Sequence, residues 1–191
     1  ASAERATLYQ ADLVAATLNG IRCPGADFSH AHLTHAQLQE ADLTNASVEG
    51  AKGVGISLRK ATLVKLHAGK KADFSEGDFS QVNATFSTWE ESNLAKANFQ
   101  GSILNRANFN SATLTEANFN RSDLIRARFM HAHLERANLA LVNLFRGNLE
   151  GAQLKEANLK NSNLYGVELL GAKMEETSLV STNLKATKHG G

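Results

Sequence analysis

The chain has 191 residues, a formal net charge of +1, a hydrophobic content of 42% and an aromatic content of only 6%. A near-neutral charge predicts neither a nucleic-acid binder nor an acidic mimic of one, and the single cysteine excludes an internal disulfide framework. No apolar run approaches the ~18 residues that cross a membrane. Because the hydrophobic content includes so few aromatic residues, the core must consist of Leu, Phe and Ala in thin layers.

The first stretch, residues 1–63, repeats one pattern every five residues. A large apolar residue, which we call the centre, stands at nearly every fifth position from Leu8 to Leu63, and the residue two positions before it is almost always small. The clearest copies are Ala11-Asp12-Leu13, Ala26-Asp27-Phe28 and Ala41-Asp42-Leu43. Such regular spacing predicts the same local structure in every copy.

Residues 64–73 interrupt the spacing. Eleven positions separate Leu63 from Phe74, which is two repeats plus one residue. We expect a bulge or irregular coil here, with a poor repeat around Ala68 and the extra residue near Gly69. Since loops on a rigid scaffold often carry function, the segment could instead protrude and contact a partner. The candidate loop residues are then Lys65, Lys70 and Lys71.

The second stretch, residues 74–184, resumes the pattern and continues it to Leu184, followed by a tail over 185–191. A distorted coil is expected near Ala84, because this small residue takes a centre while Phe86 lies off the pattern. Trp89 occupies a centre and is predicted to fill the core. We treat 1–191 as a single domain, and as a fragment of a longer protein, because the chain opens within a weak repeat.

A period of five excludes a regular helix and a flat strand. Five residues advance a helix by about 500°, so successive centres would lie ~140° apart instead of on one stripe. In a flat strand, successive centres would alternate between faces. The pattern is satisfied if the chain turns a corner every five residues, so that each centre points to a common axis. Four corners then close a coil of 20 residues.

The repeated Ala-Asp/Asn-Leu/Phe triplet resembles the pentapeptide-repeat family over residues 6–184. The resemblance implies an all-β fold, a right-handed quadrilateral β-helix or solenoid of about nine coils, with the other three positions of each repeat pointing outward. Members of the family are mostly non-catalytic and diverse in function, so the resemblance specifies the fold more closely than the function.

A 20-residue coil places residues 20 apart in one column. One column of amides is expected to hydrogen-bond along the rod, and it consists of Asn98, Asn118, Asn138 and Asn158. A second column has charges that alternate over its first five members, and it consists of Glu76, Lys96, Glu116, Arg136, Glu156 and Glu176. Both columns are interpreted as structural.

A third pair of columns is the candidate partner-binding face. Three aligned arginines lie beside a row of apolar residues, and both features are typical of binding surfaces. The residues concerned are Arg106, Arg126, Arg146, Ile125, Phe145 and Tyr165. The alternative interpretation is that the arginine stems merely cover Ile125 and Phe145 and leave their charged ends in solvent.

No catalytic, metal or cofactor site is predicted. Histidines cluster at 30–35 and 131–133, but no cysteine or carboxylate group completes a tetrahedral ligand set. Cys23 occupies a centre and should behave as a small buried hydrophobe. No phosphate-binding loop, carboxylate dyad or Ser-His-Asp spacing is present. We therefore expect a protein that is not an enzyme and needs no cofactor.

The first functional hypothesis is a rigid scaffold for protein–protein interaction within a larger bacterial protein. The resemblance extends to the terminal domains of secretion effectors and of effector-loading adaptors. The alternative is a DNA-mimicking protector of DNA gyrase or topoisomerase, of the quinolone-resistance type. That role depends on a strongly acidic rod, whereas this chain has a charge of −3 up to residue 95 and +4 from residue 96.

The expected partner is another protein of unknown identity. Direct nucleic-acid binding is disfavoured by the low charge and the few aromatic residues. Two copies could form a dimer through uncapped coil ends, because a solenoid end exposes unpaired backbone groups. We expect the protein in the cytoplasm, or secreted without a cleavable signal peptide as part of a larger protein.

Overall fold

The computed structural model describes residues 2–188. Within this range the chain has no helix and no extended strand; each side of a coil contributes a single residue to a parallel β-bridge. Bridges join residues 20 apart, for example Asp12 with His32 and Asn98 with Asn118. The chain is a right-handed quadrilateral β-helix, and the predicted fold class is confirmed.

Nine coils can be counted within the described residues. They span 6–25, 26–45, 46–65, 66–86, 87–106, 107–126, 127–146, 147–166 and 167–186. We number the four sides by their columns of bridges: face 1 runs from Thr7 to Lys188, face 2 from Asp12 to Lys173, face 3 from Thr17 to Ser178 and face 4 from Ser2 to Asn183. A corner is named by the two faces that it joins.

Each corner is a β-turn that runs from a centre to the next small residue. At the first corner of face 1, the Ala11 N–H donates to the Leu8 carbonyl at 3.0 Å, and the residue between them, Gln10, has a φ of 55°. A positive φ at this position is the geometry of a type II turn. Bulky residues adopt it too, with φ 61° at Phe86 and 62° at Leu141. These side chains are therefore directed outward.

The interior of the middle coils is built from two facing columns of aromatic rings. On face 3 the ring centroids of Phe79, Phe99 and Phe119 follow one another at 4.8 and 5.0 Å. On face 1, Phe109 and Phe129 stack at 5.0 Å. Rings from the two columns meet edge to face at 5.7 Å, an arrangement worth roughly 0.5–1.5 kcal/mol per pair beyond area burial.

The buried polar groups of this core are paired. The Trp89 indole N–H donates to Ser87 Oγ at 2.7 Å, and the same hydroxyl donates to the Ala84 carbonyl at 2.7 Å. Trp89 is fully buried, as the sequence predicted. The coil that contains Ala84 is irregular, but its irregularity lies at corner 1–2: Asn83 bridges to Ile103 at the regular spacing of 20, so no distortion arises at this small centre.

The coil at 66–86 contains the extra residue. Four successive bridges span 21 positions instead of 20, beginning with Lys52 and Asp73. Lys70 and Lys71 both have positive φ and form the widened corner 1–2. Leu66 fills the interior from the position that is normally small.

Amide ladders run along two faces. On face 3, each Asn side chain donates to the side-chain oxygen of the residue 20 positions earlier, and Asn118 reaches Asn98 at 3.1 Å. The same pattern on face 4 joins Asn163 to Asn143 at 3.0 Å. The predicted amide column is confirmed. In the column of alternating charges, Arg136 pairs with Glu116 at 2.9 Å, which confirms the register of the coils.

Truncation of one core ring tests this account. Phe109→Ala is expected to lower the free energy of unfolding by about 3–5 kcal/mol, because a cavity replaces a ring that packs on both columns. Urea unfolding followed by Trp89 fluorescence measures the change. Gln100→Ala, at an exposed position, is the control. Equal urea midpoints for the two variants would show that stacked rings do not stabilise the rod.

A glycine beside a histidine gives a second test. A Cβ at Gly50, whose φ is 61°, would lie 2.6 Å from the His30 ring, whereas a Cβ at Gly20, with φ 64°, would meet nothing within 4 Å. Gly20→Ala should therefore cost only the backbone penalty of about 1 kcal/mol, and Gly50→Ala should cost more.

The cost at Gly50 is expected to return to the Gly20 value when His30→Ala is added. Thermal unfolding of the single and double variants measures the difference. Identical costs at the two glycines in the presence of His30 would contradict the contact.

Candidate partner-binding corner

The structure brings the six residues of the candidate face together at corner 4–1. The backbone N–H of each arginine donates to the carbonyl of the apolar residue 19 positions later. These bonds join Arg106 to Ile125 at 2.9 Å, Arg126 to Phe145 at 3.0 Å and Arg146 to Tyr165 at 2.8 Å. The three arginine side chains are exposed. Within this corner, a cationic column thus lies directly beside an apolar column.

The column that contains the arginines continues toward the N-terminus through two residues that the sequence analysis did not place there, one aromatic and one cationic. Phe86 occupies the coil before Arg106, and Lys65 the coil before Phe86, since Lys65 donates to the carbonyl adjoining Phe86, that of Thr85. A step of 20 positions back from Arg106 reaches Phe86, so the spacing in the sequence was sufficient to place Phe86 in this column. The extra residue of the 66–86 coil changes the next step to 21 and hides Lys65.

Two of the guanidinium groups stack on exposed rings. The Cζ atom of Arg106 lies 5.2 Å from the centroid of Phe86, and that of Arg146 lies 5.2 Å from the centroid of Phe145. Phe145 in turn stacks on Tyr165 at 5.5 Å with an interplanar angle of 13°. Each cation–π contact contributes roughly 0.5–1 kcal/mol at an exposed site. Arg106 and Arg146 thus rest against rings while their side chains remain exposed.

The arginines lack a neutralising partner. Among residues 2–188, no carboxylate oxygen lies within 4.0 Å of a nitrogen of Arg106, Arg126 or Arg146. The carboxylate on face 4, Asp123, accepts hydrogen bonds from the amides of Asn105 and Asn143 instead. Adjacent like charges on neighbouring strands are destabilising, by about 1 kcal/mol or less in water. The corner therefore carries a repulsion that an acidic partner would relieve.

Part of the apolar column stays open to solvent. Arg146 covers one side of the half-buried Phe145 ring, as the alternative interpretation of this face required. Tyr165 in this column remains 37% exposed, and Phe86 in the neighbouring arginine column is 46% exposed. Large apolar groups in aligned rows, with cations beside them, match the composition of interface cores.

The corner is recessed where the cationic column ends. The two coils after Arg146 carry Gly166 and Ala186 in the same column, so no long side chain follows. The stem of Arg146 lies across Gly166, with Cγ 3.3 Å from where a Cβ would stand. The resulting depression has a volume of about 580 Å³ and is walled by Tyr165 on one side and Glu168 on the other.

The three candidate loop lysines do not lie together. Lys65 belongs to corner 4–1, whereas Lys70 and Lys71 form corner 1–2. The Lys70 ammonium pairs with Glu49, and this hydrogen-bonded carboxylate raises the pKa of Lys70. The segment is a one-residue widening of a corner, so Lys65 joins the arginine column and not a basic loop.

A protein-family model matches most of the chain. A model described as pentapeptide repeats matches in eight copies over residues 11–50, 92–129, 122–161, 143–180 and 152–188. The chain belongs to the pentapeptide-repeat family. No curated protein matches this pentapeptide-repeat chain, so its surface must be interpreted from its own residues.

Solved pentapeptide-repeat structures share its fold. HetL from the cyanobacterium Nostoc, described as involved in heterocyst differentiation regulation, is 23% identical with a TM-score of 0.55 over 97% of this chain and 87% of HetL. A protein of the Arabidopsis thaliana thylakoid lumen is 29% identical with a TM-score of 0.42, over 52% and 66% of the two chains. QnrB1, a plasmid-mediated fluoroquinolone resistance protein, is 15% identical with a TM-score of 0.47, over 100% and 92%.

In the described part of the pentapeptide rod, no group of three or more His, Cys, Asp or Glu side chains could hold a metal ion. An interior void beside Leu43, Leu66 and Trp89 measures about 10 Å³, at the lower limit for a single water molecule. Residues 2–188 also contain no helix of the length and apolarity that crossing a bilayer requires.

The cysteine supplies a test of the closed interior. Cys23 is 0% exposed, and burial raises the pKa of its thiol, so the reactive thiolate is scarce at neutral pH. A thiol reagent such as dithionitrobenzoate should leave Cys23 unlabelled in the folded protein and modify it fully in 6 M guanidinium chloride. The absorbance of the released thiolate measures labelling. Rapid reaction without denaturant would mean that the first coils open readily.

Proposed function

We propose that this pentapeptide-repeat chain is a non-catalytic rigid scaffold for protein–protein interaction and that corner 4–1 is its binding surface. The observation that carries the proposal is the column of three unneutralised arginines beside the row formed by Ile125, Phe145 and Tyr165. The role as a module of a secretion effector or adaptor stays a prediction.

Residue chemistry supports this choice of surface. Arginine, tyrosine and phenylalanine are enriched at interfaces, because each combines a large contact area with few rotatable bonds or with several donors. Arg146 and Phe145 are already ordered by their mutual stacking. Binding would then cost little side-chain entropy, and the hydrogen-bonded coils beneath would cost little backbone entropy.

Charge argues against the alternative of a DNA mimic. Such a surface needs carboxylates at the positions of phosphates, whereas corner 4–1 carries guanidinium groups over three successive coils.

A double substitution tests the proposal without a known partner. Peptides selected from a random phage-display library on the wild-type protein are expected to lose at least about tenfold in affinity for the Arg126→Ala/Phe145→Ala variant, since a central arginine and a ring are typical hot spots. Fluorescence anisotropy of the labelled peptides measures the dissociation constants. The melting temperature should fall by only a few degrees, because the loss of Phe145 removes one surface cation–π contact and one surface ring stack but no core contact.

The matched control removes the same chemistry from corner 3–4. Arg121 and the exposed Leu141 are neighbours in that corner column, and the Arg121→Ala/Leu141→Ala variant should bind the selected peptides as the wild type does. If the peptides tolerate the loss of Arg126 and Phe145, the binding surface lies elsewhere on the rod.

A further inference from the structure

We infer that the segment recognised at corner 4–1 is an amphipathic α-helix of an acidic protein partner, lying along the rod axis with a carboxylate stripe on the arginines and an apolar stripe on the column of Ile125, Phe145 and Tyr165. The inference rests on the proposed function of this corner and specifies the chemistry of its partner. Three independent features of the corner lead to it.

The first feature is the spacing of the cations. Side chains in one column repeat at the coil spacing, which the stacked rings of face 3 measure as 4.8 and 5.0 Å. An α-helix advances ~5.4 Å per turn, so carboxylates one turn apart drift from three arginines by only about 1 Å. Side chains on one face of an extended strand repeat at ~6.7 Å and would drift by roughly 3.6 Å. The pitch of a helix matches this column and that of a strand does not.

The second feature is the pairing of two stripes. The cationic column and the apolar column occupy adjacent positions in each repeat, as in Arg126 beside Ile125 and Arg146 beside Phe145. A helix presents residues at i, i+4 and i+7 as one stripe and residues at i+1 or i+3 as a stripe next to it. A helix with aligned acidic and apolar stripes can therefore meet both columns at once.

The third feature is the length of the cationic column. Phe86 precedes Arg106 at one end, and the glycine-lined recess follows Arg146 at the other, with Glu168 on its wall. A carboxylate placed beyond Arg146 would meet Glu168, which already pairs with Lys188 at 3.8 Å. The acidic stripe should thus extend over three turns and be preceded, one turn earlier, by an apolar residue for Phe86.

Three synthetic peptides test the inference. The aligned peptide carries Glu at three successive turns with Leu beside each, and the redistributed peptide has the same composition but spreads these residues around the helix. The third is the aligned peptide with one central alanine replaced by proline. Each is labelled and titrated with the full chain by fluorescence anisotropy. The aligned peptide should bind at least about tenfold more tightly than the other two, since it alone meets both columns.

The location of binding is tested with variants of the protein. Arg126→Ala should weaken the aligned peptide by about tenfold or more, whereas Arg121→Ala on corner 3–4 should leave the dissociation constant unchanged. Affinity should also fall as salt rises, because the contacts are between exposed charges. A duplex DNA of matching length should not displace the bound peptide.

Each contrary outcome has a distinct meaning. Equal binding of the three peptides, or no binding of the aligned one, would overturn the helical partner while leaving corner 4–1 as the site of the phage-selected peptides. If Arg126→Ala leaves the dissociation constant of the aligned peptide unchanged, the assignment of this helix to the corner is overturned. Displacement by duplex DNA would replace the acidic helix with nucleic acid as the recognised class.

Discussion

The structure depends on one hydrogen-bonding constraint, which is that every coil pairs with the coils before and after it at fixed backbone positions. Within a face, the N–H of each centre and the N–H of the corner residue both donate to the next coil, as Phe99 does to Asn118 at 2.7 Å and Gly101 to Asn120 at 2.9 Å. These bonds hold residue n over residue n+20. The large centre and the small residue before it then fill an interior too narrow for any other arrangement.

That constraint gives the surface its unusual chemistry. Because the columns are fixed by the backbone, the points where side chains are attached cannot shift apart, and three arginines are attached in line at corner 4–1. The opposite arrangement occurs at corner 2–3, where Arg136 pairs with Glu116. A β-helix thus displays charge at a set pitch, and the proposed recognition of a helix follows from the closeness of that pitch to a helical turn.

Much of the fold and part of the site could be predicted from residue spacing. The period of five, the amide ladder through Asn98 and Asn118, and the burial of Trp89 all follow from counting positions. The distortion expected near Ala84 was misplaced, because the irregularity of its coil lies at Lys70 and Lys71, whereas the bridge from Asn83 to Ile103 keeps the regular spacing. Spacing identifies the inward positions but does not show where along a coil an extra residue is absorbed.

The sequence by itself determined the coil length, the inward residues and the columns of the second stretch, since all of these depend on the five-residue period of the amino-acid sequence. Only the tertiary structure decided that Lys65 and Phe86 extend the arginine column while Lys70 and Lys71 lie at another corner. The physical reason is the single extra residue in the 66–86 coil. It is absorbed at corner 1–2, and the four bridges whose partners lie on either side of it then join residues 21 apart.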